Sequence, residues 1–126
     1  MPATHFIAQL AEPANRSLLG GILRGIEKEG LRVDQAGHLS SRPHPTGLGS
    51  ALTHPYITTD YSESLLELIT PPCHRLDTLL KWLNDLHRET YQQLGDEYIW
   101  GNSMPCVLPA EDAIPIARYG SSHRGT

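Results

Sequence analysis

The stretch Leu76-Asp-Thr-Leu-Leu-Lys-Trp-Leu-Asn-Asp-Leu-His-Arg-Glu-Thr-Tyr-Gln-Gln-Leu94 decides the fold. Leu76, Leu79, Leu80, Leu83, Leu86 and Leu94 recur at helical intervals and predict one apolar stripe on a long α-helix. Pro71-Pro72 closes whatever precedes it, and Gly95 stands where a helix C-terminus needs a left-handed residue. Asp77 and Lys81 are expected to pair at i,i+4 on its wet side. A one-sided helix needs apolar surface to lie on. Two upstream segments offer it: Ile22–Val33, read as a strand, and Ile57–Thr70, read as a second strand stopped by the prolines. Between them, Asp34-Gln-Ala-Gly37 has turn chemistry, and His38 to Ser40 is placed to pair back as a hairpin arm. Ser41 to Pro55 reads as loop. Phe6, Ile7, Leu10 and Ala11 have helical spacing limited by Pro13, and Glu97 to Leu108 reads as a further extended segment. These elements predict an α+β fold with an antiparallel sheet and one long packing helix.

The chain has 126 residues, a length that favours a single domain. Ten Lys and Arg against 14 Asp and Glu give a net charge of −4, and no basic run exists, which argues against nucleic acid as a partner. No apolar stretch approaches the roughly 20 residues of a membrane helix, and Met1–Gly21 shows no export signal. Two cysteines, Cys73 and Cys106, then read as reduced thiols of a cytoplasmic protein with no membrane partner. Neither belongs to a ligand motif, and the seven histidines lack metal-binding spacing, so a zinc site and a cysteine nucleophile are both unsupported. The polar segment Tyr119–Thr126 reads as a loop whose backbone N–H groups could receive an anion.

Acidic residues carry the chemistry. Glu27 and Glu29 share a strand face with Leu23, Leu31 and Val33, which is therefore expected to be the core side, with Lys28 and Arg32 on the other. Glu67 lies between Leu66 and Leu68 and shares its face with Leu65 and Ile69, while Asp60 and Glu63 precede it. Asp60 has the opposite parity to Glu67, so a bulge or break near Tyr61-Ser62 is needed to aim both at one site. Carboxylates crowded among apolar residues repel one another and lose hydration, and such oxygen donors suit Mg²⁺ or Mn²⁺. The plain alternative is a set of solvated acidic residues on strand surfaces.

Several blocks resemble bacterial glutamate–cysteine ligases. They are Arg24-Gly-Ile-Glu-Lys-Glu-Gly-Leu-Arg-Val33, Leu48-Gly-Ser-Ala-Leu-Thr-His54, Ile57–Pro71, Leu86-His-Arg88, Ser103-Met-Pro-Cys106 and Tyr119-Gly120, in order along nearly the whole chain. The resemblance implies part of a glutamine-synthetase-like antiparallel sheet that holds divalent cations. It also implies an ATP-dependent ligase joining the γ-carboxyl of L-glutamate to L-cysteine, the first step of glutathione biosynthesis. In that family the glutamate γ-carboxylate is phosphorylated by ATP, and the cysteine amine displaces phosphate. The family's metal ligands fall on Glu27, Glu29, Asp60 and Glu67. No residue is assigned a catalytic role, and none is assigned to glutamate, cysteine or ATP.

This sequence departs from the family at two positions, with Gly30 where a threonine is usual and His123 where asparagine is usual. The family runs to several hundred residues. Residues 1–126 are accordingly expected to be the N-terminal portion of a ligase catalytic domain, truncated at its C-terminus and inactive alone. The rival expectation is a non-catalytic acidic remnant that binds a cation or a partner. A free-standing two-metal phosphohydrolase lacks any nucleophile-positioning motif.

Overall fold

The computed structural model describes residues 3–119. Helix α1 (Ala3–Ala11) and the short α2 (Arg16–Gly20) precede strand β1 (Glu27–Val33). Strands β2 (Ile57–Thr59) and β3 (Leu65–Ile69) follow, then the long helix α3 (Leu76–Gln93) and the two-residue strand β4 (Tyr98–Ile99). All pairings are antiparallel, in the order β2-β3-β1-β4. The fold is α+β, as the periodicities predict.

Helix α3 ends where expected: Leu94 caps it and Gly95 takes φ +65°, a conformation that costs glycine nothing. Its stripe is narrower than the leucine spacing implies. Leu79, Leu86 and Leu94 are buried and Leu83 packs against the core, whereas Leu76 and Leu80 are both 59% exposed. The helix therefore meets the sheet along the 79–83–86 line, and the first turn overhangs it. Lys81 pairs with Asp85 rather than with Asp77, which Arg75 occupies instead. Tyr56 and Trp82 add a tilted aromatic contact with ring centroids 5.1 Å apart.

Three expectations about the strands need correction, the first being Ile22–Val33, of which only Glu27–Val33 is strand. Ile57–Thr70 is a hairpin of two short strands rather than one strand, broken between Thr59 and Leu65. The core side of β1 is also the opposite of the one expected. Leu66, Leu68 and Ile57 pack with Leu48, Leu86 and Leu94 on the face that β1 shares through Gly30 and Arg32. Glu27, Glu29 and Leu31 belong to the other face, on which only Val33, at the end of the strand, is buried.

Arg32 is wholly buried with its charge paired and both Nη nitrogens bonded, while its Nε has no partner among the described residues. Its Nη1 donates to Glu97 at 2.9 Å, and its Nη2 donates to the carbonyls of Arg42 at 2.6 Å and Glu63 at 2.9 Å. The second carboxylate oxygen of Glu97 accepts from Ser40 Oγ. Gly30 reflects close packing on the same side: a Cβ there would lie 2.3 Å from Ile99 Cγ2. A threonine at this position would therefore require Ile99 to move.

The turn Asp34–Gly37 closes with Gly37 at φ +81°, and Leu39 returns to bridge Val33 as expected. The segment Glu97 to Leu108 forms a strand only at Tyr98–Ile99, and Val107 makes an isolated parallel bridge to His38. No helix among the described residues is long and apolar enough to cross a membrane.

Candidate metal and ligand face

The β1–β3 register assembles the acidic set. Glu29 stands directly opposite Glu67, and Glu27 opposite Ile69, so both β1 carboxylates share the Glu67 face. Thr58 pairs with Glu67 from the other side. The ladder continues one residue beyond β2, where the Asp60 N–H donates to the Leu65 carbonyl at 3.2 Å. Asp60 thus gains the parity of Thr58 and joins the same face. The break expected near Tyr61-Ser62 is the hairpin turn itself, and Tyr61 makes it at φ +55°, a strained conformation for a bulky residue. All four expected ligands lie on one open face.

Glu67 is the centre of this arrangement. It is half-buried, whereas Glu27, Glu29 and Asp60 are exposed. Its carboxyl is held above the ordinary value of 4.5, first by burial and then by the charges of Glu27, Asp60 and Glu29. Among the described residues, none of the four pairs with a lysine, arginine or histidine. Four uncompensated oxygen donors fit the chemistry of a hard divalent cation. Among the described residues no three such side chains converge into a ready cage, so binding would require exposed rotamers to gather around Glu67.

A cavity of about 750 Å³ opens over the Asp60–Glu67 half, lined also by Thr58, Ile69, His54 and Tyr119. A second hollow of about 460 Å³ lies beside Glu29, bounded by Leu31, Leu65, Trp100 and Met104. His54 is fixed in its wall because Nδ1 accepts from the N–H groups of Tyr56 at 3.2 Å and Ile57 at 2.8 Å. Its Nε2 lies 3.7 Å from Glu89. Tyr119 is tethered by its hydroxyl, which donates to the Thr59 carbonyl at 3.0 Å. Sequence reasoning gave His54 no role, placed Tyr119 only in an anion loop and set Arg32 on the outward face, since nothing in their local pattern marks long-range partners.

Neither cysteine adds chemistry here. Cys106 is buried, which pushes its thiol up, and Cys73 pairs its backbone with Arg24. The anion-loop expectation for Tyr119–Thr126 falls, beyond Tyr119, outside the described residues.

The family model for glutamate–cysteine ligase matches residues 7–126. The chain belongs to the glutamate–cysteine ligase family. A glutamate–cysteine ligase of Saccharophagus degradans is 57% identical over 121 residues, covering 96% of this chain and 23% of that protein. The Azotobacter vinelandii ligase is 60% identical over 119 residues, covering 94% and 22%. A crystal structure of the Francisella tularensis glutamate–cysteine ligase in complex with AMP superposes with a TM-score of 0.75 at 44% identity, over 79% of this chain and 20% of that one. A bifunctional glutathione synthetase from Pasteurella multocida gives 0.76 at 43%, over 81% and 14%. The chain thus spans less than a quarter of the length of these ligase-family relatives.

Proposed function

We propose that the open sheet face is the cation-holding part of a glutamate–cysteine ligase, with Glu27, Glu29, Asp60 and Glu67 as the ligands of Mg²⁺ or Mn²⁺. The reaction is the ATP-dependent joining of the L-glutamate γ-carboxyl to the L-cysteine amine, giving γ-glutamylcysteine in the cytoplasm for glutathione biosynthesis. The observation that carries this reading is the Glu29–Glu67 register pair, at the centre of four carboxylates on one sheet face that make no ion pair among the described residues. A bound cation would neutralise the phosphate charge of ATP. The carboxylates hold the cation, half-buried Glu67 anchors it, and the Asp60–Tyr119 cavity leaves room for a ligand beside it. None of the four needs to act as a general base.

The rival reading is a cation-binding part without turnover of its own. One assay separates the two. The purified chain is incubated with glutamate, cysteine, ATP and Mg²⁺, and γ-glutamylcysteine is quantified while Mn²⁺ binding is measured by electron paramagnetic resonance. We expect Mn²⁺ bound in the millimolar range, weakened by Glu67→Gln, and no product above a no-protein control from residues 1–126 alone. Product abolished by Glu27→Gln would show a competent ligase instead. Mn²⁺ affinity unchanged in Glu67→Gln would defeat the ligand assignment.

A further inference from the structure

Glu63 sits in the β2–β3 turn, three residues from Asp60, and only 2% of it is exposed. A carboxylate this deeply buried must recover its lost hydration. Here it does so through backbone N–H groups. One oxygen, Oε1, accepts from the N–H of His44 at 2.8 Å, and Oε2 accepts from the N–H of Arg118 at 2.5 Å. The nearby cation, Arg32, spends Nη1 on Glu97 and gives Nη2 to the Glu63 carbonyl rather than to its carboxylate.

The consequence is that one side chain joins three segments remote in sequence. The turn and the 115–119 segment are laced further: the Glu63 N–H donates to the Pro115 carbonyl at 3.0 Å, Ser62 Oγ to the same carbonyl at 2.8 Å, and the Ala117 N–H to the Tyr61 carbonyl at 2.9 Å. Asp60 and Tyr61 on the turn and Ala117 and Tyr119 on the second segment line the same cavity as Glu67. A glutamine offers only one acceptor oxygen, so it cannot replace both charge-assisted bonds.

We propose that Glu63 is a positioning residue: its buried carboxylate clasps the 42–46 loop and the 115–119 segment to the 60–64 turn, so that Asp60 is held over Glu67. The inference rests on the cation reading above, to which it adds a residue that touches neither cation nor substrate.

The test uses the whole chain with Glu63→Gln, Glu63→Asp and, as a control that only loosens the core, Leu79→Ala. Three quantities are read: thermal midpoint, hydrogen exchange of individual amides, and Mn²⁺ affinity. In Glu63→Gln we expect His44 or Arg118 to exchange at least about tenfold faster, as loss of a hydrogen bond to a charged group implies. The β1–β3 ladder amides should stay protected. Mn²⁺ affinity should fall severalfold in Glu63→Gln, less in Glu63→Asp, and not at all in Leu79→Ala despite its lower midpoint. If Glu63→Gln does not fold, Glu63→Asp against Leu79→Ala carries the comparison. Unchanged Mn²⁺ affinity in the Glu63 variants, or unmoved His44 and Arg118 amides, overturns the proposal. A wild-type chain that binds no Mn²⁺ overturns the cation reading itself, and the positioning role with it, even where the amides respond.

Discussion

Replacing Glu67 with glutamine keeps its shape and removes one of four like charges from a shared face. Glu29 stands opposite it across the ladder, where Cβ atoms lie about 5 Å apart, a separation worth roughly 0.8 kcal/mol of repulsion in water. Glu27 and Asp60 occupy diagonal positions at about 7–8 Å, adding roughly 0.5 kcal/mol each. Screening at physiological salt, with a Debye length of about 8 Å, leaves on the order of 1 kcal/mol. Glu67→Gln should therefore stabilise the metal-free protein by about that amount, raising the thermal midpoint by about 4 °C. The assay is thermal unfolding at pH 7 in chelator, at low salt and in 1 M NaCl. The gain should shrink in high salt and reverse once Mn²⁺ is added, because only the wild type keeps the full ligand set. The pH dependence has a definite sign. The native state holds the Glu67 proton more tightly than the unfolded chain, so the wild type gains stability as pH falls through the raised value toward 4.5. The two proteins should converge across that window. A glutamine variant no more stable than wild type at low salt, or a gain that survives 1 M NaCl, would refute the electrostatic account of this face.

The core makes a sharper prediction. Leu86→Ala should cost about 2–5 kcal/mol while Leu80→Ala stays within about 0.5 kcal/mol, checked by urea midpoints, because Leu86 lies in the buried cluster and Leu80 overhangs it. Arg32→Leu strands Glu97 in the interior and should cost about 3–5 kcal/mol, with much of the loss recovered when Glu97→Leu is added. His44 is held below its ordinary value of 6.5, by burial first and then by Arg32. The unfolded chain then binds its proton more readily. Stability should fall as pH drops below 6.5 and level off beneath the native value, and His44→Gln should flatten that slope in unfolding curves taken from pH 5 to pH 8, a range set around the histidine midpoint.

Sequence alone determined what depends on local chemistry and short-range period. Helix α3 and its glycine stop, the Asp34–Gly37 turn and the α+β class were readable, because each follows from a spacing or a turn residue within a few positions, whereas the choice of four among the acidic residues came from the family resemblance. Even the need for a break at Tyr61-Ser62 came from parity, since side chains alternate strictly along a strand. What sequence could not assign was which face of β1 turns inward. Counting apolar residues favours the side of Leu23, Leu31 and Val33. The structure turns Gly30 and Arg32 inward and buries only Val33 of that row, because Glu97, from beyond α3, and two backbone carbonyls bind the Nη nitrogens of Arg32, while Ile99 packs on the side where Gly30 leaves room. Glu63 has the same cause. It reads as one more acidic residue in a turn until the fold brings the amides of His44 and Arg118, 19 positions before and 55 after it, onto its two oxygens. Local sequence sets periodicity and turn chemistry. The burial of a charge depends on partners that only tertiary contact supplies.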